Sequence, residues 1–230
     1  MHSNTLFQEY YARCRYDLLP YPVNDLSDRV AVIVESRDEP LLRWTICNIM
    51  HFTQWPVIVY HSRLSDKYLD GLPLKKKIEI PDDFGLRDYN QLIASIHFWN
   101  SLPAHVLIFQ TDSFMLRSGI TPFMKYDYVG APWSKLNIDI FSIPLNIGNG
   151  GFSLRKRNKM IQILGKIPYN SDLAEDVYFA NAFYELGGVL PAFDKHKKFS
   201  VEQVYYEKPL AVHAPWNALQ DEVIKKILNK

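Results

Sequence analysis

Two short apolar runs constrain the fold of this chain more than any other feature. They occupy residues 30–34 (VAVIV) and 105–109 (HVLIF). Runs of this length are too short for a helix, and the lack of polar alternation is typical of a strand buried on both faces. Such strands occur almost only where helices cover both faces of a parallel sheet. The chain is therefore predicted to be an α/β protein with a mainly parallel central sheet flanked by helices.

The segments between these runs have helical spacing or the marks of further strands. Apolar residues recur at helical spacing over 41–50, and Pro40 stands where a first helical turn tolerates proline. Strands or extended segments are further predicted at residues 56–60, 76–80, 126–133, 152–155 and 198–204, and helices at residues 89–102, 158–164, 172–186 and 221–230, the last on the surface. The length predicts one domain, or one domain with an added lobe, and we expect an N-terminal extension over 1–29 and a C-terminal helix within 217–230.

Composition excludes several classes of protein. The 26 Lys and Arg residues against 25 Asp and Glu give a net charge of +1, whereas a nucleic-acid binder needs a basic excess. The two cysteines are too few for a disulfide scaffold or a zinc ribbon and fit a reducing compartment. The sequence shows neither a transmembrane segment nor the features of a signal peptide. We therefore expect a cytoplasmic protein without a nucleic-acid partner.

Polar residues follow three of the predicted strands directly. In open α/β sheets, ligands bind beyond the carboxyl ends of the strands, so Ser36, Arg37, His61 and Asp112 are expected to share one rim. The carboxylate of Asp112 would be costly at the end of a buried strand unless it were neutralised, and a divalent cation with a diphosphate would do so. An aspartate that merely forms a turn after the strand is the alternative interpretation, and position alone leaves both open for Asp112 and Thr111.

The run GNGG at residues 148–151 predicts a turn that faces a ligand. Adjacent glycines, Gly150 and Gly151, adopt backbone conformations closed to other residues and let a ligand approach the main chain. A plain tight turn would have the same sequence. The spacing matches neither a dinucleotide fingerprint nor a P-loop, so phosphate binding through a glycine loop is excluded.

The remaining candidates are Glu175 and Asp176, near the start of a predicted helix, and His213, late in the chain. Asp172 is predicted as the N-cap, with Glu175 closing a capping box. Capping explains less about Asp176 in the first turn, where its carboxylate could face a cleft as a general base. His213 lies in a loop, where a histidine is more often a hydrogen-bonded surface group than a ligand.

The motifs QTDSFMLR, DYVGAPW, GNGGFSLR, EDVYFA and FSVE, followed by AVHAPW, occur in this order along the chain. Together they resemble a largely uncharacterised family of glycosyltransferase-like proteins with the GT-A fold. They are more distantly similar to inverting transferases of the fringe and β-1,3-galactosyltransferase type, in which a DxD motif, a glycine-containing strand and an EDV motif follow in that order. The resemblance implies a GT-A-like domain over residues 30–216.

The resemblance also implies roles for individual positions. The DxD motif maps onto Gln110, Thr111 and Asp112, so glutamine replaces the first acid and Asp112 alone remains to contact a metal. A late histidine that completes the metal shell maps onto His213, with Mn²⁺ or Mg²⁺ as the cation. Asp176 maps onto the base that deprotonates the acceptor. Glu175 would hold the acceptor or cap its helix.

The remaining implied contacts concern the sugar donor. Ser36 and Arg37 fall where the nucleoside of a sugar nucleotide lies, and Asn149, Gly150 and Gly151 would border the donor sugar and the acceptor. The resemblance therefore implies an inverting, metal-dependent transfer from a nucleotide sugar, expected to be UDP-linked, to a glycan or other hydroxyl acceptor.

Two alternatives stay open. One is a nucleotidyltransferase or nucleotide-sugar hydrolase on the same scaffold, and the other is a carbohydrate-binding protein that kept the fold and lost activity. Gln110 favours the inactive protein, whereas Asp112, Asp176 and His213 together disfavour it.

Overall fold

The central feature of the computed structural model is a six-stranded sheet, with a three-stranded sheet beside it. The structure describes residues 9, 10, 12, 14, 27–143 and 146–228. The strands, in chain order, are β1 (Arg29–Glu35), β2 (Val57–His61), β3 (Lys76–Glu79), β4 (His105–Phe109), β5 (Ser113–Met115), β6 (Tyr128–Val129), β7 (Phe152–Lys156), β8 (Ser200–Val201) and β9 (Ala211–His213). Most of the predicted N-terminal extension lies outside the described residues.

The six strands of the large sheet lie in the order β3-β2-β1-β4-β7-β6. Strand β1 is parallel to β2 and β4, and β2 is parallel to β3, whereas β7 is antiparallel to both β4 and β6. The prediction of a mainly parallel sheet is therefore confirmed. Topologically, the sheet reverses its direction of growth between β1 and β4, and ligands bind preferentially at such a switch point.

Helices cover both faces of this sheet. They are α1 (Leu41–Thr53), α2 (Arg63–Asp66), α3 (Leu86–Ile93), α4 (Ile96–Asn100), α5 (Lys135–Phe141), α6 (Arg157–Leu164), α7 (Glu175–Leu186), α8 (Phe193–Phe199) and α9 (Asp221–Leu228). Val30 and Val32 pack with side chains of α4, α6 and α7, whereas Ala31 and Ile33 pack with side chains of α1. The unbroken apolar run of β1 thus reflects burial on both of its faces.

Several predicted helix bounds were wrong. The predicted helix over 89–102 is two helices, and Ser95 caps the second by accepting a hydrogen bond from the Phe98 amide. The helix predicted from Asp172 begins at Glu175. The predicted extended segment at 198–204 includes the end of α8 and is a strand only at β8.

The C-terminal helix α9 is more than a surface element. Its residues Ile224, Ile227 and Leu228 are buried and form an apolar cluster with Phe114 and Val212 of the small sheet. Their spacing of three to four residues places them on one face, as expected for an amphipathic helix.

The small sheet brings three distant segments together. Strand β5 is antiparallel to β9 with Ser113 opposite His213, and β8 is parallel to β9 with Val201 opposite Val212. This register places His213 beside Asp112, which directly precedes β5, and beside Glu202, which directly follows β8. The small sheet therefore brings Asp112, Glu202 and His213 together.

Helix α1 fixes the segment that carries Asp112. The buried Asn48 amide donates to the Met115 carbonyl at 3.0 Å and accepts from the Met115 amide at 2.7 Å. Thr45 Oγ1 donates to the Thr111 carbonyl at 3.2 Å. Because these bonds lie on both sides of Asp112, the position of this residue depends on α1.

We expect Asn48→Ala to lower the free energy of unfolding by about 2–4 kcal/mol, because both main-chain groups of Met115 would be buried without partners. Urea denaturation measures this change. The control is Asn158→Ala on the exposed part of α6, which should change the same quantity by less than about 0.5 kcal/mol. Equal effects of the two substitutions would contradict the anchoring role of Asn48.

Candidate functional site

A cleft of about 490 Å³ lies at the carboxyl ends of β1 and β4. We call it the rim cleft, and the residues that line it are Val34, Glu35, Ser36, Arg37, Asp82, Asp83, Phe84, Gly85, Leu86, Tyr89, Gln110 and Asp112. Of the predicted ligand contacts, the structure brings Ser36, Arg37, Gln110 and Asp112 together here. They meet at the switch point of the sheet, as the rule for open α/β sheets predicts.

Glu35, which the sequence analysis did not single out, organises the β1 side of the rim cleft. Its buried carboxylate accepts hydrogen bonds from Arg37 Nε at 2.8 Å, from Arg37 Nη2 at 2.7 Å and from Thr111 Oγ1 at 3.1 Å. The Arg37 side chain remains 70% exposed, so its cation is held in place and can still meet an anionic ligand. Ser36 Oγ donates to the Phe84 carbonyl at 2.7 Å and fastens the opposite wall.

His61 is not among the residues that line the rim cleft. It ends β2, and its Nδ1 lies 3.1 Å from the Ser62 carbonyl and 3.4 Å from Asp66 Oδ1. Strand β2 is one strand away from the switch point between β1 and β4. A ligand contact by His61 stays a prediction.

His213 is the centre of a buried polar cluster. Its Nε2 lies 3.3 Å from Asp112 Oδ1 and 3.2 Å from Gln110 Oε1, and its Nδ1 lies 3.6 Å from Glu202 Oε2. Burial by itself lowers the pKa of His213, but the carboxylates of Asp112 and Glu202 outweigh it and raise the pKa to about 10. His213 is thus part of the cluster and not a surface histidine.

The donor atoms of this cluster fit a divalent cation. Asp112 Oδ1 is buried, and its contact with His213 Nε2 at 3.3 Å is not a hydrogen bond of good geometry. A carboxylate oxygen and an amide oxygen suit Mn²⁺ or Mg²⁺, and Mg²⁺ is often held by one or two carboxylates with substrate phosphates. The His213 imidazole could join them only where the cation displaces the proton that its raised pKa keeps on the ring. Within the described ranges, no group of three or more His, Cys, Asp and Glu residues suited to a metal occurs. A cation here would therefore need ligands from the substrate.

Glu202 is a second residue that the sequence analysis missed. It is 7% exposed, and its Oε2 has no hydrogen-bond partner among the described residues. The motif FSVE contains it, but nothing local marks its role, because its proximity to His213 arises only from the pairing of β8 with β9.

The glycine turn packs directly against charged side chains of the protein. A methyl group on Gly150 would collide with Glu175 Oε1 and come within 2.9 Å of Arg155 Nη2. A methyl group on Gly151 would collide with His213 Nε2 and come within 2.6 Å of Gln110 Oε1. These neighbours account for both glycines without a ligand, so the predicted ligand contact of the turn stays a prediction.

Glu175 forms a buried ion pair with Arg155. Arg155 Nη1 donates to Glu175 Oε2 at 2.6 Å and Nη2 donates to Oε1 at 2.7 Å, and both residues are almost fully buried. The guanidinium also lies 4.6 Å from the centre of the Tyr128 ring. Both oxygens of Glu175 therefore serve the scaffold, whereas holding an acceptor remains a prediction.

The predicted capping of α7 by Asp172 was wrong. Ala174 occupies the N-cap position and makes no side-chain capping bond. Instead, Asn90 Oδ1 of α3 accepts from the Glu175 amide at 3.3 Å. The orphan amides at a helix start need acceptors, and here one of them comes from 85 residues earlier in the chain.

Asp176 has the surroundings of a general base. It lines a second cavity of about 380 Å³, which we call the base cavity, together with Trp133, Asn137, Ile143, Asn149, Asp172, Leu173, Ala174, Val177 and Gln203. Its Oδ2 accepts from the Gly150 amide at 3.0 Å and its Oδ1 from the Val177 amide at 2.8 Å. Burial, with the charge of Glu175, raises the pKa of Asp176 to about 6 despite these amides and Arg155. Such a carboxylate is ionised at neutral pH and can accept a proton.

The fold and the site define a class: a mixed α/β protein with one cleft at the switch point of its sheet and a carboxylate of raised pKa, Asp176, in a second cavity. More specifically, the chain belongs to the family described as "Protein of unknown function (DUF5672)", whose family model matches residues 76–213. That span contains Asp112, the glycine turn, Asp176 and His213. No curated protein matches the chain. In the part of the chain that the structure describes, no helix is long and apolar enough to cross a membrane.

We expect Gly150→Ala to destabilise the protein by about 1–3 kcal/mol, because the added methyl group forces apart the Arg155–Glu175 pair. Thermal or urea unfolding measures this change. Gly85→Ala is the control, since its new methyl group would meet no atom closer than 3.8 Å; because Gly85 is the N-cap of α3, where alanine is less favourable, it should cost less than about 1 kcal/mol. A fully stable Gly150→Ala protein would show that the turn does not depend on the ion pair.

The raised pKa of Asp176 predicts how stability depends on pH. Because the folded protein binds this proton more tightly than the unfolded chain does, the carboxyl favours folding most below about pH 4 and progressively less as pH rises through 6. Each tenfold change in proton affinity corresponds to about 1.4 kcal/mol, so the full effect is about 3 kcal/mol. Asp176→Asn removes this titration.

Urea unfolding of both proteins between pH 4 and pH 7 tests this prediction. The free energy of unfolding of Asp176→Asn, relative to wild type, should rise with pH by up to about 3 kcal/mol. A difference that is constant over this range would mean that the carboxyl has an ordinary pKa.

Proposed function

We propose that this protein is an inverting glycosyltransferase on a GT-A-type fold, which transfers a sugar from a UDP-linked donor to a hydroxyl acceptor with the help of Mn²⁺ or Mg²⁺. One observation carries the proposal. The consecutive residues Gly150 and Gly151 touch a candidate base, Asp176, through the first residue and the candidate cation ligands His213 and Gln110 through the second. Base and leaving-group stabiliser are the two parts that such a transfer needs.

The rim cleft suits the nucleotide part of a donor. Its volume of about 490 Å³ falls in the range of small-molecule sites. Arg37 supplies an exposed guanidinium at one wall, where it can pair with a phosphate. Asp112, His213 and Gln110 would hold the cation together with the diphosphate. The bound cation would offset the negative charge that builds on the leaving diphosphate.

The base cavity suits a neutral acceptor. Carboxamides of Asn137, Asn149 and Gln203 and the indole of Trp133 line it. None of the described residues that line it is Lys or Arg, so nothing there would balance an anionic acceptor. Amide groups and aromatic faces are groups that bind sugar hydroxyls and sugar rings. A glycan hydroxyl is therefore the acceptor that this cavity favours.

Asp176 would carry the proton-transfer step. Its carboxylate takes the proton of the acceptor hydroxyl as the hydroxyl oxygen forms a bond to the anomeric carbon of the donor sugar. The bond from that carbon to the diphosphate oxygen breaks, and its electron pair leaves with the diphosphate. Attack from the side opposite the leaving group inverts the configuration. The Gly150 and Val177 amides hold the carboxylate in position throughout.

The proposal predicts that two substitutions separate binding from transfer. Asp112→Asn should weaken the binding of UDP-glucose, UDP-galactose or UDP-N-acetylglucosamine in Mn²⁺, whichever binds the wild type best, and calorimetry with and without Mn²⁺ measures this. Asp176→Asn should keep donor affinity but slow transfer about 10²- to 10⁴-fold, as expected when a general base is removed. Chromatography of glycan acceptors measures transfer.

Each alternative gives a different result. Unchanged donor affinity in Asp112→Asn would remove the metal assignment, and wild-type transfer by Asp176→Asn would leave the mechanism without a base. Release of UDP without any glycosylated acceptor would indicate a nucleotide-sugar hydrolase. Glycan binding without any donor binding would indicate an inactive carbohydrate-binding protein.

A further inference from the structure

The hydroxyl of Tyr89 is a polar group that the proposed mechanism does not use. Tyr89 lies on α3 and lines the rim cleft. Its Oη is buried and makes no hydrogen bond of good geometry with any described residue, although the side chain of Gln110 lies near it. A buried hydroxyl without a partner destabilises a fold, and phenylalanine would fill the same space without this penalty. Because Tyr89 also lines an open cleft, where a bound molecule can reach it, its unpaired hydroxyl suggests a partner that is not part of the chain.

The surroundings of this hydroxyl indicate what the partner is. Burial raises the pKa of Tyr89, the nearby Glu175 and Asp176 raise it further, and Arg155 and Gln110 oppose them only in part. The phenol thus stays protonated and can donate a hydrogen bond. The carboxylates of Glu175 and Asp176 and the guanidinium of Arg155 are the charges close enough to affect its pKa. That guanidinium is already bound to Glu175, so a phosphate is disfavoured there and a neutral hydroxyl is favoured.

The same argument orients a donor in the cleft. The cation Arg37 and the cluster around His213 are the places where a diphosphate would be stabilised. Tyr89 lies on α3, whose next residue, Asn90, accepts a hydrogen bond from the Glu175 amide beside Asp176. It is therefore on the α7 side of the cleft, where the base must meet the sugar. The transferred sugar is the neutral part of a nucleotide sugar and would lie between these two places.

Resting on the proposed function, we infer that Tyr89 binds the sugar that is transferred: its hydroxyl donates a hydrogen bond to a hydroxyl group of that sugar, between Gln110 and Asp176. It is a specificity-determining contact, because the bond forms only with a sugar that carries an acceptor at the matching position. Nucleotide alone does not reach it.

Tyr128 provides a matched control within the same chain. Its hydroxyl is likewise buried and without a hydrogen-bond partner among the described residues. Tyr128 is fully enclosed, however, and lines neither the rim cleft nor the base cavity. Tyr128→Phe therefore removes a comparable hydroxyl and keeps the ring.

The test compares the binding of UDP and of the preferred UDP-sugar, each in Mn²⁺, by calorimetry. Tyr89→Phe should weaken UDP-sugar binding about 2- to 10-fold, the contribution of one hydrogen bond, and leave UDP binding unchanged. Tyr128→Phe should change neither affinity. Both variants should be at least as stable as wild type, because each loses an unpaired buried hydroxyl, and thermal unfolding checks this.

Two results would overturn the sugar contact of Tyr89 but not the proposed function. One is a Tyr89→Phe variant that binds the UDP-sugar with wild-type affinity. The other is an equal loss of affinity for UDP and for the UDP-sugar, which would place the contact on the nucleotide. A wild-type protein that binds neither UDP nor any of the three UDP-sugars would instead overturn the proposed function, and the assignment of Tyr89 would fall with it.

Discussion

The buried ion pair between Arg155 and Glu175 is the interaction on which the rest of the site depends. Both side chains are removed from water. Removing one partner of such a pair lowers the free energy of unfolding by about 3–5 kcal/mol, because the other charge stays buried without a partner. Its geometry links β7 to the first turn of α7. Arg155 Nε also donates to Ser153 Oγ at 2.9 Å, and Ser153 Oγ donates to the Gly150 carbonyl at 2.8 Å. The glycine turn is thereby tied to the same pair.

This pair also explains why two neighbouring acids have different roles. Among the described residues, the Arg155 guanidinium is the one that contacts these acids, and it donates to both oxygens of Glu175. Glu175 is therefore held in place as part of the scaffold. Asp176 receives two main-chain amides, which stabilise its charge less than burial and the adjacent Glu175 destabilise it. The difference between the two roles arises from the one bidentate contact that Glu175 makes with Arg155.

The sequence was informative where a property is local and uninformative where it depends on pairing between distant segments. The apolar runs of β1 and β4 predicted strands buried on both faces, because burial on both sides leaves a direct mark on composition. The rule of strand ends predicted one rim for Arg37, Asp112 and His61, and the structure brings the first two to the rim cleft but not His61. The rule does not say which strands flank the switch point.

The residues that were missed share one cause. Glu35 accepts a hydrogen bond from Thr111, Glu202 lies beside His213, and the start of α7 is capped by Asn90. Each of these contacts joins segments that are far apart in the sequence, so none can be predicted without knowing which segments meet in space. Asp172 was predicted as the cap because it lies three residues before Glu175, the spacing of a capping box. That local spacing does not determine where the helix begins. Sequence therefore predicted the class of fold and several members of the site, but not the scaffold that holds them.

Gln110 shows how the electrostatics of the site fit together. His213 already lies between Asp112 and Glu202, so an acid at position 110 would place a third carboxylate beside one imidazole. Glutamine keeps an oxygen 3.2 Å from the His213 Nε2 atom without adding charge. Burying an unbalanced charge is expensive, whereas a neutral amide oxygen next to an imidazole is not. A site with this composition balances the charge of Asp112 with a protonated His213 when no cation is present, and a cation that displaced this proton would meet an amide oxygen, a carboxylate oxygen and an imidazole nitrogen. The departure from two acids to one is thus consistent with a cation that arrives together with a diphosphate rather than one held permanently by the protein.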